Sequence, residues 1–353
     1  MMKASTPKFI LTLAIGLTAV LSIMMTAFAT PAVNSGIHNV PIGIVTKNDD
    51  MYQKMAKPLD QRGFDVKQYE TEVAMKDAVS DRKIYGAFEM SASGDMTLYK
   101  ATAASTAVAQ ALETIGQKVV DQQKVAAKEQ IQGMQAQTTD VTMLKTLDAK
   151  LQAIDGKSLR VQELRSFPSR DSKGAGLVAG ALPIALGGWI GSVAIANVVK
   201  GKRQKFFAAI AFAITGGLGL TAVIQFGLGT FDGNYFITSL GAMLGIAATA
   251  FFVLGLLEML GNGGLIIAAI TLILLGNPLS GLGSAPEMLP AGWGFFGQLL
   301  PPGATGTLLR NLTFFDGHAI AMPLLVLASY IIVGLGLFFI GKKSVLVKDE
   351  KEA

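Results

Sequence analysis

The 353-residue chain has no cysteine and only two histidines, His38 and His318, set far apart. The first absence excludes disulfides, thiolate metal sites and a cysteine nucleophile, and the second leaves no basis for a histidine metal centre. Charge is scarce as well, with 16% charged residues against 51% hydrophobic. Most of that charge sits between residues 47 and 173, so the rest of the chain is too apolar to be the surface of a water-soluble domain. Phosphate-binding and hydrolase motifs are missing too. GKS at 156–158 has Leu151 where a P-loop needs its first glycine, and GKK at 341–343 runs into a charged tail. G-x-S-x-G, H-E-x-x-H and paired-acid clusters are absent. The chain is therefore expected to be no enzyme, to hydrolyse no ATP by itself and to hold neither metal nor organic cofactor.

What is present is a series of long charge-free runs, at 174–199, 206–231, 233–257, 259–286 and 317–341, each 25 to 28 residues long. About 20 apolar residues at 1.5 Å rise cross the hydrocarbon core, so each run is long enough to span a membrane. A further apolar stretch at 9–30 follows Lys3 and Lys8. It is longer than the apolar centre of a cleavable signal peptide, which favours an uncleaved anchor, although the small residues around 27–29 suit cleavage. Either way the chain beyond residue 30 is exported.

Short basic segments fix orientation, because Lys and Arg near helix ends stay in the cytoplasm. With six spans, Lys3 and Lys8, the group Lys200, Lys202, Arg203 and Lys205, and the tail residues Lys342, Lys343, Lys348 and Lys351 all fall on one side. Both termini are then cytoplasmic in the cell membrane, while Asp232 and the whole of 31–172 lie outside. The net charge of +5 is explained by these topology-setting residues, so no nucleic-acid partner is expected.

The stretch 288–309 is apolar enough for another crossing but is rich in helix breakers: Pro290, Pro301 and Pro302, with Gly292, Gly294, Gly297, Gly303 and Gly306. Backbone broken in this way is tolerated at membrane depth only where protein or water covers it. The pattern predicts an outer segment, 284–316, of short re-entrant or interfacial helices. It would place Trp293, Phe295 and Phe296 at headgroup level and put Arg310 outside any span. No span carries an ionisable residue at its centre; Glu258 falls at the inner end of one.

The exported region reads as strands at 40–45, 64–69, 85–90 and 96–100, with helices near 49–62 and 72–82 between the first three. Pro41 marks the first strand as an edge or opening strand. Val108, Leu112, Ile115 and Val119, then Leu144, Leu147, Leu151 and Ile154, step by three and four on either side of a break at 138–140. That is an amphipathic helical hairpin, more in keeping with packing on its own domain than on a partner. A strand-like 159–167 returns the chain to the membrane.

The expected fold class is thus an α-helical polytopic membrane protein of six spans, with an extracytoplasmic α/β domain and helical hairpin inserted between spans one and two. The expected divisions are 1–30, a cytoplasmic tip and first span; 31–172, the exported domain; 173–341, five spans with the outer segment; and 342–353, a cytoplasmic tail.

This order of parts resembles the ABC-2 type transporter permeases, especially the YhgE/Pip-like branch. The likeness is carried by VPIGIV at 40–45, PSRDSKG at 168–174 and NPLSG at 277–281. It is strongest in EMLP at 287–290, LPPGA at 300–304, LRN at 309–311 and FDG at 315–317. The resemblance implies a half-size permease that forms a homo- or heterodimer and moves a hydrophobic or amphipathic substrate outward, energised by a separate cytoplasmic ATPase. In such permeases the loop after the second span docks on the ATPase. Here that is 199–205, with Lys200, Lys202, Arg203 and Lys205 as docking candidates, and the same charges also serve as a topogenic patch. Pro290, Trp293, Pro301, Pro302, Gly303 and Arg310 are the candidates of the outer segment. The rival is a membrane-anchored surface protein, a secretion accessory or phage-attachment factor, acting through its exported domain; five closely spaced Gly-rich spans exceed what an anchor needs.

Overall fold

The computed structural model describes residues 6–33, 36–91 and 93–341. Lys3 and the tail residues Lys342, Lys343, Lys348 and Lys351 lie outside the described residues. The chain opens with α1 (Pro7–Val33), whose described side chains are almost all exposed although its mean hydropathy reaches 2.2. Thr18, Ser22 and Thr26 each donate their hydroxyl to the carbonyl four residues back, so the helix presents little polarity to lipid.

Asn39–Gly174 is a compact unit of its own. It runs β1 (Val40–Val45), α2 (Asp49–Asp60), β2 (Phe64–Tyr69), α3 (Glu72–Ser80), β3 (Gly86–Met90), β4 (Met96–Lys100), α4 (Thr106–Ala136), α5 (Val141–Asp155) and β5 (Arg160–Glu163). Asn48, Thr71, Ser105 and Asp140 cap the four helices, each accepting a hydrogen bond from a first-turn amide. The sheet order is β2-β1-β3-β4-β5, parallel except for the β3–β4 hairpin. β4 and β5 are adjacent and parallel, which requires a long crossover, and the α4–α5 hairpin is that crossover.

Two expectations are corrected here and a third is met in one of its forms. Pro41 lies in the opening strand, as one reading of the sequence has it, and that strand is interior rather than an edge. The Pro41 carbonyl accepts from the Tyr85 amide at 2.9 Å, so its missing N–H lies on the β3 side, yet β1 pairs with β3 only from Gly43 onward and no ladder donor is lost. The returning strand is only Arg160–Glu163, an exposed edge. On α4 the buried face runs through Val108, Leu112, Gly116 and Val120, leaving Ile115 and Val119 half-exposed. Gly116 accommodates this rotation: a Cβ there would stand 2.9 Å from the Leu159 side chain and 3.0 Å from the Phe88 ring, so the helix backbone lies close against them.

The residues before Asn39 and after Gly174 form the second unit. It contains α6 (Ala175–Val198), α7 (Lys202–Ala222, extended as a π-helix over Val223–Leu228), α8 (Tyr235–Leu260) and α9 (Asn262–Ala269, extended as a π-helix over Ile270–Leu275). Then come α10 (Trp293–Gln298), α11 (Pro301–Phe314) and α12 (Ala321–Ile340). α8 is the hub, mostly buried, touching α6, α7, α11 and α12. Among the described residues five helices are long and apolar enough to cross a membrane: α1, α6, α7 with its extension, α8 and α12. The molecule is a polytopic helical membrane protein with a small mixed sheet.

The run 259–286 does not form the long helix its composition predicts. Helix ends at Leu275, so Asn262–Leu275 covers about 21 Å at 1.5 Å per residue, short of a ~30 Å hydrocarbon core. The basic loop is also shorter than expected: helix resumes at Lys202, after Gly201 turns with φ of 87°.

Candidate functional site: the helical hairpin and the buried ion pair

Contacts along α8 order the rest of the second unit. Gly334 lies against Phe251 and Gly341 against Glu258, so α12 runs parallel to α8. Gly233 lies against Thr313, Gly241 against Leu308 and Leu312, and Gly245 against Thr305, so α11 runs antiparallel to it. Thr305 is thus opposite a residue about 15 Å along α8 from Tyr235, at 1.5 Å per residue, and Pro301 is a turn deeper still. α11 begins in the interior of the unit and rises toward the end where α8 starts.

The descending limb comes just before it. The Gly36 amide donates to the Met288 carbonyl at 3.0 Å, which places Met288 beside the segment that follows α1. α10 then leads inward, Gly297 against Leu279, and Gly303 closes against Gly297. Residues 286–314 therefore form a helix–loop–helix hairpin that folds back on itself within the unit. Gly297 permits it, since a Cβ there would collide with the Leu279 carbonyl.

The hairpin covers the irregular segment that follows Leu275 and satisfies its backbone. Gln298 Nε2 donates to the Ser280 carbonyl at 2.8 Å, Arg310 Nη2 to the Leu282 carbonyl at 2.9 Å, and Ser280 Oγ to the Asn277 carbonyl at 2.7 Å. Irregular backbone survives at membrane depth only under such cover, so these side chains hold the broken segment in place. Of the residues singled out from sequence, Pro301, Pro302 and Gly303 are buried at the start of α11, Pro290 and Trp293 are half-buried, and Phe295 and Phe296 are exposed. Arg310 is only 3% exposed, so the hairpin carries a buried cation, a burial that the sequence did not indicate.

At the opposite end of α8 lies a second charged cluster. Lys205 Nζ and Glu258 Oε1 pair at 2.8 Å, with whole-residue exposures of 5% and 7%. Lys202 Nζ donates to the carbonyls of Gly341, at 2.6 Å, and Phe339, at 3.2 Å, capping the C-terminus of α12, where a cation is favoured by the helix dipole. Two of the four docking candidates thus point into the fold. Lys200 and Arg203 remain exposed, Arg203 over the Phe207 ring. The pair was missed because each partner was taken singly as a span-end charge. A signal existed: from Lys205 the positions Ala209, Ala213, Gly217 and Thr221 repeat by four, and all five are buried.

Four hydroxyls on the α8 and α11 helices, those of Thr238, Ser239, Thr305 and Thr313, are buried without a hydrogen-bond partner among the described residues. No group of three or more His, Cys, Asp or Glu that could hold a metal ion occurs among the described residues. No family model matches the chain, and neither a curated protein nor a solved structure matches it.

Proposed function

We propose that the chain is the membrane-embedded subunit of an ABC-2 type exporter. It crosses the membrane six times, with both termini cytoplasmic and 31–172 outside, and passes a hydrophobic or amphipathic substrate outward as a homo- or heterodimer driven by a separate ATPase. The observation that carries this reading is the re-entrant hairpin, lodged among α6, α8 and α12 with Arg310 inside it. Five long helices already anchor a protein many times over, and an anchor has no use for a costly broken segment held by side-chain hydrogen bonds. Unsatisfied hydroxyls between α8 and α11 make that contact the place where the hairpin can part from the hub and admit water or a polar headgroup.

The sixth crossing is then composite: Asn262–Leu275 followed by the covered irregular segment up to the outer hairpin. ATPase movement enters at the exposed part of the basic segment, Lys200 and Arg203, since Lys202 and Lys205 are engaged within the fold.

Affinity purification from native membranes tests this. An ATPase should copurify, and Lys200→Gln with Arg203→Gln should lower its recovery several-fold while the yield of the chain is unchanged. Equal recovery with the double variant removes the docking role. If no ATPase associates with the unmodified chain, the exported domain becomes the working part, as its compact core would allow.

A further inference from the structure

We propose that the cleft between α2 and α4 of the Asn39–Gly174 unit binds a long-chain carboxylate, a single-tailed anionic amphiphile such as a fatty acid. This inference stands on that unit alone and does not depend on transport.

The strand order places a cleft there. β1 connects outward to β2, while β3 lies on its other side, so the order reverses between β1 and β3. In open parallel sheets, ligands bind at such a reversal, beyond the carboxyl ends of the strands. The cavity opens from that point and runs along α2 to Leu59 and, just beyond the helix, Arg62. Its lining includes Asn48 and Met51, which follow the end of β1, and Met90, the last residue of β3, and its volume is about 620 Å³, within the range of small-molecule sites.

The chemistry of the walls names the ligand. Phe88, Met90 and Met96 form the floor, Met90 and Met96 being directly paired across β3 and β4. Along α2, Met51, Met55 and Leu59 repeat by four on one wall, and Ile115 and Val119 repeat by four on the other, the very residues that the rotation of α4 leaves half-exposed. Thioethers are flexible and polarizable, suited to an adaptable apolar chain rather than a rigid ring with fixed polar groups. The trough follows the 12 residues of α2, about 18 Å at 1.5 Å per residue, an elongated shape.

Charge at the lip selects the head. Lys54, on the outer edge of α2, and Arg62, in the turn just after the helix, are both exposed at the lip and form no ion pair with the described residues. Asp50 occupies the same edge near the helix start, where Asn48 already caps the first turn. A carboxylate is therefore drawn toward the Lys54–Arg62 end of the trough and away from the helix N-terminus.

Photocrosslinking decides it, using the full chain in phosphatidylcholine nanodiscs and a palmitate analogue with a diazirine on its tail. Adducts are expected in 51–59 and 115–123. Val119→Trp, which fills the trough, should abolish them. Lys54→Glu with Arg62→Glu should weaken palmitate labelling about tenfold, the order of two exposed charge contacts, and leave a matched fatty-alcohol probe unaffected. Adducts confined to the membrane helices, or labelling of the cleft indifferent to both variants, would overturn the site. Equal labelling by alcohol and carboxylate would overturn the assignment of an anionic head. If Val119→Trp fails to fold, the charge variant, altering only exposed side chains, still decides.

Discussion

Replacing Glu258 with Gln is expected to destabilise the second unit by about 3–5 kcal/mol, because it strands the Lys205 ammonium in a site that is 5% exposed. The cost comes from the unpaired buried charge rather than from one lost hydrogen bond. Replacing both residues together, Lys205→Met with Glu258→Met, should recover most of the loss, since a buried pair exchanged for apolar groups of similar size is often neutral. The core beside the pair includes Ala209, Leu254 and Leu257, so apolar side chains have suitable neighbours. Thermal loss of the monodisperse chromatographic peak would report the difference, with a fall in Tm on the order of 10 °C for Glu258→Gln. A single variant as stable as the parent would show that the pair is solvated.

The second large effect separates two adjacent glycines. Gly188 faces α8, where an added Cβ would collide with Thr249 Oγ1 and the Ile246 carbonyl, while a Cβ at Gly187 meets nothing within 4 Å. Ser192, one turn on, donates to the Ala250 carbonyl at 3.0 Å, so α6 and α8 approach backbone to backbone along this line. Gly188→Leu is expected to cost about 3 kcal/mol or more through forced separation of the helices, and Gly187→Leu within about 0.5 kcal/mol. Folded yield and Tm of the two variants measure it; equal behaviour would mean that the α6–α8 contact is wrong.

That pair also shows what the sequence could convey. Gly187 and Gly188 read alike in the sequence and Gly191 meets Phe212, but the close α6–α8 contact runs through Gly188 and Ser192. Spacing alone does not say which of two neighbouring faces turns inward. The first four strands of the Asn39–Gly174 unit were legible because alternation, glycine turns and capping residues agree at their boundaries, as at Asn48 and Thr71. The interior place of β1 was not, because sheet order depends on contacts distant in sequence. The run 259–286 misled for another reason: hydropathy sums over a window and is blind to Pro278, which disfavours helix at Asn277 directly after Gly276. The burial of Lys205 and the engagement of Lys202 depend on where helix α7 begins, which Gly201 sets by its turn.

The proposed topology requires the chain to pass from one side to the other between α8 and the hairpin at 286–314, and the natural lack of cysteine makes that passage directly measurable. Single cysteines at Asn262 and Ala291, both exposed, would be challenged with a membrane-impermeant maleimide in intact cells, with Asp232 and Gln204 as outer and inner references. Ala291 and Asp232 should be labelled at once, and Asn262 and Gln204 only after permeabilisation. Labelling of Asn262 and Ala291 from the same side would show that this stretch does not cross, and the six-crossing arrangement would fall.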